Sequence, residues 1–255
     1  MRIPQLEKNY CIMKILKLFL VAFVISGVIS CKKGTLVSAN VSMDDAAAML
    51  GGSLSSSSYG MNNMSADVSL NAGAFSANNS PCGFTKIDTF SRHISTPSVT
   101  YAYKLSYTHK LFCNTSNLPD NITSSLTFGG YYSNSKVLLT NTGTLNYVIA
   151  GLTPTATVYV LNGEYKSSGT FKLKSDTTNT GSASIDIVVK NVTITKATQV
   201  IASGTATVII TGTTSKKGDF TYNGTLTFNG ASMATMIING TTYTVNLLTG
   251  DITKK

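Results

Sequence analysis

The stretch Val99-Thr-Tyr-Ala-Tyr-Lys-Leu-Ser-Tyr-Thr-His-Lys-Leu-Phe-Cys113 places apolar or aromatic residues at positions 99, 101, 103, 105, 107, 111 and 113, with mostly polar residues between them. A period of two puts one side chain set on each face of a strand, so this is a half-buried β-strand. Its inward set is predicted to carry Cys113 into the same core as the tyrosines. The alternation recurs downstream. Val200, Ala202, Ala206, Val208 and Ile210 face away from Ser203, Thr205, Thr207 and Thr211, and Phe220, Tyr222, Leu226 and Phe228 repeat the scheme, as do Tyr243, Val245 and Leu247. One buried and one wet face is the mark of antiparallel sheet. Between the runs, Asn239-Gly240 is the strongest short hairpin signal, and Asn229-Gly230, Asn162-Gly163 and Lys217-Gly218 are predicted reversals. Along Ala183, Ile185, Ile187 and Val189, then Val192 and Ile194, the apolar phase slips by one residue, which predicts a bulge.

The pattern gives about ten strands, several of them ten to fourteen residues long, joined in sequence by short turns. Strands this long favour an all-β, antiparallel up-and-down meander curling into a barrel or half-barrel, with a two-sheet β-sandwich as the alternative. Composition agrees. Only 12% of the 255 residues are charged, and Thr, Ser and Asn supply about a third of the chain, residues suited to turns and solvated strand faces.

Ahead of the β domain, assigned to residues 81–255, lies a segment of different texture. Residues 31–80 are rich in Ser, Ala, Asn, Met and Gly. Ser42-Met43-Asp44-Asp45 fits a capping box, and Ala46 to Leu50 continue it, so a short N-terminal helix is predicted over about 43–50, stopped by Gly51-Gly52. So short a helix needs something to dock on. The Ser-rich run 53–58 looks like linker, but Leu54, Tyr59, Met61 and Met64 do not. Two readings remain open: an irregular segment laid on the sheet, or a flexible tether.

Residues 13–31 read as a secretory leader: a basic start, an apolar stretch, then a small residue before cysteine. The uncharged stretch of about 14 residues is shorter than the roughly 20 needed to span a bilayer as helix. Met1 to Ile12, with Glu7, suits no leader, so translation is expected to begin at Met13. Val28-Ile29-Ser30-Cys31 resembles the lipobox of bacterial lipoproteins. That resemblance implies a signal peptide over residues 1–30, cleavage after Ser30, and lipidation of Cys31 with several acyl chains such as palmitate. Each buried methylene of such a chain contributes about 0.8 kcal/mol to anchoring. An ordinary secretory signal is the alternative. Removing residues 1–30 leaves 16 basic and 10 acidic residues, reducing the net charge from +9 to +6.

With Cys11 removed and Cys31 lipidated, Cys82 and Cys113 form an even pair in an exported chain, which predicts one disulfide. A metal or redox pair is the competing reading, but there is no Cys-x-x-Cys and the chain has only two His.

The composition of the whole chain, the lipobox and the acidic-Ala helix with its Ser run together resemble the small outer-membrane lipoproteins of the Bacteroidota. The resemblance implies lipid anchoring in the outer membrane and no particular role. Lys32-Lys33-Gly34 lacks the acidic residues that follow the lipidated Cys in many surface-exported members, which favours the periplasmic face.

The chemistry-bearing residues are sparse. The scattered Lys and Arg form no basic stripe, so no nucleic acid partner is expected. No catalytic or phosphate-binding motif is present, and no metal or cofactor is implied. Asp186 sits inside an apolar strand but on the solvent phase with Ser182 and Ser184. His109 occupies an inward position beside Tyr101, Tyr103 and Tyr107; with Tyr131, Tyr147 and Tyr159 these could line an apolar ligand site or simply pack. The expectation is a lipid-anchored, non-catalytic β protein of the envelope with a binding or structural role, meeting an apolar small ligand or an envelope protein. The alternatives are an enzyme with an unrecognised site and an integral outer-membrane barrel.

Overall fold

The computed structural model describes residues 41–255 except 179, 216 and 217. The leader, Met13, the lipobox, Cys31 and Lys32-Lys33 lie outside the described residues. The described residues belong to one unit.

Eleven strands follow one another in a single antiparallel sheet: β1 (Thr85–Ser95), β2 (Thr100–Cys113), β3 (Pro119–Ser133), β4 (Val137–Ala150), β5 (Val158–Leu173), β6 (Thr180–Thr195), β7 (Ile201–Thr214), β8 (Gly218–Gly230), β9 (Met233–Ile238), β10 (Thr241–Asn246) and β11 (Ile252–Lys254). The up-and-down meander is therefore as the alternation predicts. The strands do not close into a barrel. β1 and β11 do not pair with each other, and one sheet replaces the two of a sandwich. A closed barrel of this many strands would enclose a cavity. Here two helices from the N-terminal segment occupy the inner face.

The first helix, α1 (Met43–Leu54), starts at the expected capping box, with Asp45 N–H donating to Ser42 Oγ at 3.1 Å and Ser42 N–H to Asp45 Oδ2 at 3.2 Å. It does not stop at Gly51-Gly52. Every residue from Ala46 to Leu54 is buried, as for a helix enclosed on all sides. The glycines permit close approach rather than termination. A Cβ on Gly51 would stand 2.6 Å from the Gly250 carbonyl, and one on Gly52 would stand 2.5 Å from the Tyr132 ring. β3 and the end of the sheet at β10–β11 thus both pack on one turn of α1. Gly52→Val is expected to cost about 2 kcal/mol through overpacking, read as a lowered urea midpoint with an unchanged slope; a change below 0.5 kcal/mol would contradict the close packing.

The Ser run ends α1 at its Ser55 cap and is laid on the sheet as an irregular segment rather than a tether. It forms a 3-10 turn at Ser56–Ser58, where Ser56 and Ser57 N–H groups donate to the carbonyls of Leu247 and Leu248, each at 2.8 Å. A second helix, α2 (Met61–Ala77), follows and is absent from the sequence reading. Its buried residues Met61, Met64, Val68, Ala72 and Phe75 recur at helical spacing.

The turns are read correctly in part. Asn239 and Gly240 both have positive φ, 44° and 85°, the signature of a two-residue hairpin. Gly230 and Gly218 also sit at reversals. Asn162-Gly163 does not: it lies within β5, where the register slips between Leu161 and Gly163. The predicted bulge in β6 is present at Lys190–Thr193, with Asn191 at φ 50°. Asn191 N–H donates to Asn162 Oδ1 at 2.9 Å. Gly204 in β7, at φ 125°, lies against Val192, where a Cβ would meet backbone. There the buried phase passes to Ile201 instead of Val200 and Ala202, while Ala206, Val208 and Ile210 are buried as predicted. The irregularities fall side by side on three adjacent strands, a device that bends and twists a sheet locally.

Candidate functional site

The inner face of β1–β3 meets α2 through a cluster of polar groups in an otherwise apolar layer. Asp67 on α2 accepts from the Tyr59 hydroxyl at 2.6 Å and from the Tyr107 hydroxyl at 3.1 Å. Arg92 Nε, from β1, donates to Tyr59 Oη at 3.0 Å, and its guanidinium lies 4.2 Å from the centre of the Phe90 ring. Burial pushes the Asp67 carboxyl above its ordinary range, against the lowering effect of the two tyrosine hydroxyls and Arg92. The Tyr59 and Tyr107 hydroxyls are also held well above theirs, first by burial and then by Asp67.

One strand position along, His109 is fully buried. Its ring stacks on Tyr107 at 5.4 Å and meets Phe75 of α2 edge-on at 6.3 Å. Nδ1 lies 2.5 Å from Ser124 Oγ, its cross-strand partner in register, and Nε2 finds no partner among the described residues. Burial pushes the imidazole down to about 4. It is therefore neutral at pH 7 and shielded from any substrate, an arrangement suited to packing rather than proton transfer.

Tyr101 and Tyr103 are buried in the same face, as are Tyr147 and Tyr159. Tyr131 is the exception. It points to the outer face at 36% exposure, and its neighbour Tyr132 points inward. The void among Tyr103, Phe128, Tyr132, Tyr165 and the helices is about 10 Å³, space for at most one water. The inward tyrosines and His109 come together as expected, but the chain's own helices fill the volume they could have offered a ligand. Cys113 is half-buried at the rim instead of in the core, and it is bonded to Cys82 as predicted.

The outer face is wet and shallow. A depression of about 530 Å³ crosses β3 to β6, lined by Thr127, Thr142, Thr144, Lys166, Ser184 and Asp186 among others. Lys166 Nζ pairs with Glu164 at 2.7 Å and reaches Asp186 Oδ2 at 3.8 Å, while Asp186 Oδ1 has no hydrogen-bond partner among the described residues. Asp186 stands on the solvent phase as read. No group of three or more His, Cys, Asp or Glu converges among the described residues.

Sequence reasoning missed Asp67, Tyr59 and Arg92 as a set. They come from a turn, a helix and an edge strand, and no spacing in the chain links them. No family model, curated protein or solved structure matches the chain.

Proposed function

We propose that this chain is a lipid-anchored, non-catalytic β protein of the bacterial outer membrane, acting on the periplasmic face as a binding or structural module. The observation that supports this most is the filling of the inner face. Within it the buried His109 bonds Ser124 and stacks on Tyr107, the half-buried Asp67 accepts from Tyr59 and Tyr107, and Tyr132 and Tyr147 are enclosed with hydroxyls that no described residue bonds. A catalytic group needs access to substrate; His109 has none, and the half-buried Asp67 is already held by two tyrosine hydroxyls. What remains for an envelope partner is the hydroxyl-rich outer face and the sheet edges. Anchoring rests on Val28-Ile29-Ser30-Cys31 and the apolar stretch before it. An integral barrel fits less well. Thr and Ser dominate the outer positions of β7 and β8, and an open edge in hydrocarbon would leave backbone groups unsatisfied.

Labelling cells with a fatty-acid analogue tests the anchor. Label is expected on the wild-type chain and is expected to vanish in Cys31→Ser, which should also move the protein from the membrane to the soluble fraction. Retained label, or carbonate-resistant membrane association of Cys31→Ser, would overturn the reading.

A further inference from the structure

The sheet has two edges, and they are managed differently. β11 is three residues long, a length that offers little to a pairing strand. β1 is eleven residues long, contains no proline, and pairs with β2 without a register shift. No described strand pairs with its other side. Phe84 carbonyl accepts from Leu111 N–H and Thr96 N–H donates to the Val99 carbonyl, so the even residues of β1 direct their backbone groups to β2. The odd residues Ile87, Thr89, Ser91 and His93 therefore present N–H and C=O to the free side. Ile87 is 68% exposed.

We infer that β1 is a self-association edge: two copies of this chain pair their β1 strands antiparallel about a two-fold axis at Phe90. The side chains select that register. With Phe90 opposite Phe90 of the second copy, Thr89 faces Ser91, Ile87 faces His93, and Asp88 faces Arg92 twice, once on each side of the axis. The even residues stay on the inner face of both sheets, and the odd ones supply the inter-strand hydrogen bonds. Opposite charges directly across a strand pair attract, and like charges repel. Sliding one copy by two residues sets Lys86 opposite Arg92; sliding it the other way puts no charged residue directly across from Asp88 or Arg92, and Asp88 then keeps only its pair with Lys86 at 2.8 Å on its own strand. The two-fold arrangement uses the whole strand and closes on itself. Head-to-tail pairing of β1 with β11 would match three residues against eleven and propagate without closing.

Native mass spectrometry and light scattering of the full chain in mild detergent test this. A dimer is expected at about 100 µM, within the range of modest interfaces. Ser91→Pro removes a donor that faces only the free edge, so it should weaken the dimer about tenfold or more while leaving the circular dichroism spectrum unchanged. Asp88→Arg, which sets two like charges opposite each other at both Asp88–Arg92 positions, should weaken it as well with an unchanged spectrum, whereas Asp88→Asn should weaken it less. A monomer at that concentration overturns the proposal. So does a dimer indifferent to Ser91→Pro or to Asp88→Arg with an intact spectrum, or a ladder of higher oligomers.

Discussion

Replacing Cys82 and Cys113 together by Ser is expected to lower stability by about 3.7 kcal/mol. The bond closes a loop over a sequence separation of 31 residues, and the chain-entropy model assigns that value to the lost constraint on the unfolded chain. For a unit of this size each kcal/mol moves the melting temperature by roughly 2–4 °C, so a drop of about 10 °C should be seen by calorimetry. The structure adds a location to the effect. The disulfide ties the residues just before β1 to the end of β2, beside the pairing of Leu111 with Phe84. Among the described strands β1 has one neighbour, whereas β5 and β6 each have two. Hydrogen exchange should therefore accelerate first in β1, with β5 and β6 still protected. A loss below 1 kcal/mol with unchanged exchange in β1 would show that the cross-link constrains little.

Acid should destabilise the protein through His109 before most carboxylates protonate. In the unfolded chain this imidazole takes up a proton near its ordinary value of 6.5; folded, it resists until about 4. Between those values the unfolded state binds the extra proton. The contribution is thus complete above about pH 6.5 and is lost as the pH falls toward 4. The difference corresponds to about 3 kcal/mol at most. Asp67 acts in the opposite sense, since its raised value favours the folded state as pH falls. Urea midpoints at pH 7, 5.5 and 4.5 should show the decline. His109→Phe, which keeps a ring between Tyr107 and Phe75, should flatten it while lowering stability at pH 7 through loss of the Ser124 contact. Equal slopes for wild type and variant would remove His109 as the cause. So would titration near 6.5 of the ring resonance assigned to His109 by its loss in His109→Phe.

The inner and outer faces of the strands were legible because burial alternates with a period of two and the sheet applies that rule to every strand. Tyr101, Tyr103, Tyr107 and His109 were correctly placed inside on that ground alone. Tyr131 was not, because two adjacent tyrosines beside Gly129-Gly130 give no phase of their own, and the ladder with β2 decides that Tyr132 turns inward. The glycines misled in a similar way. Gly51-Gly52 and Asn162-Gly163 carry the letters of a helix stop and a hairpin. Neither shows in its own neighbourhood that Tyr132, Ile252 or Asn191 will approach it. α2 was missed because its face is drawn in Met, Ala and Ser, with little contrast against its exposed side. Even so, Met61, Met64, Val68, Ala72 and Phe75 held the correct spacing.

By itself the sequence determined an antiparallel meander, the cysteine pair and the capped start of α1, because each depends on local periodicity, parity or a four-residue motif. The tertiary structure decided whether the sheet would close, what would occupy its inner face, and which polar groups would meet there. Those outcomes depend on contacts between distant segments. Ser56 and Ser57 donate to the carbonyls of Leu247 and Leu248, nearly two hundred residues on, where the helices lie on the sheet. The same docking brings Tyr59, Asp67 and Tyr107 within hydrogen-bonding distance. Packing of the helices over the sheet turned a stripe of aromatic residues that could have surrounded a ligand into a core that surrounds the protein's own chain.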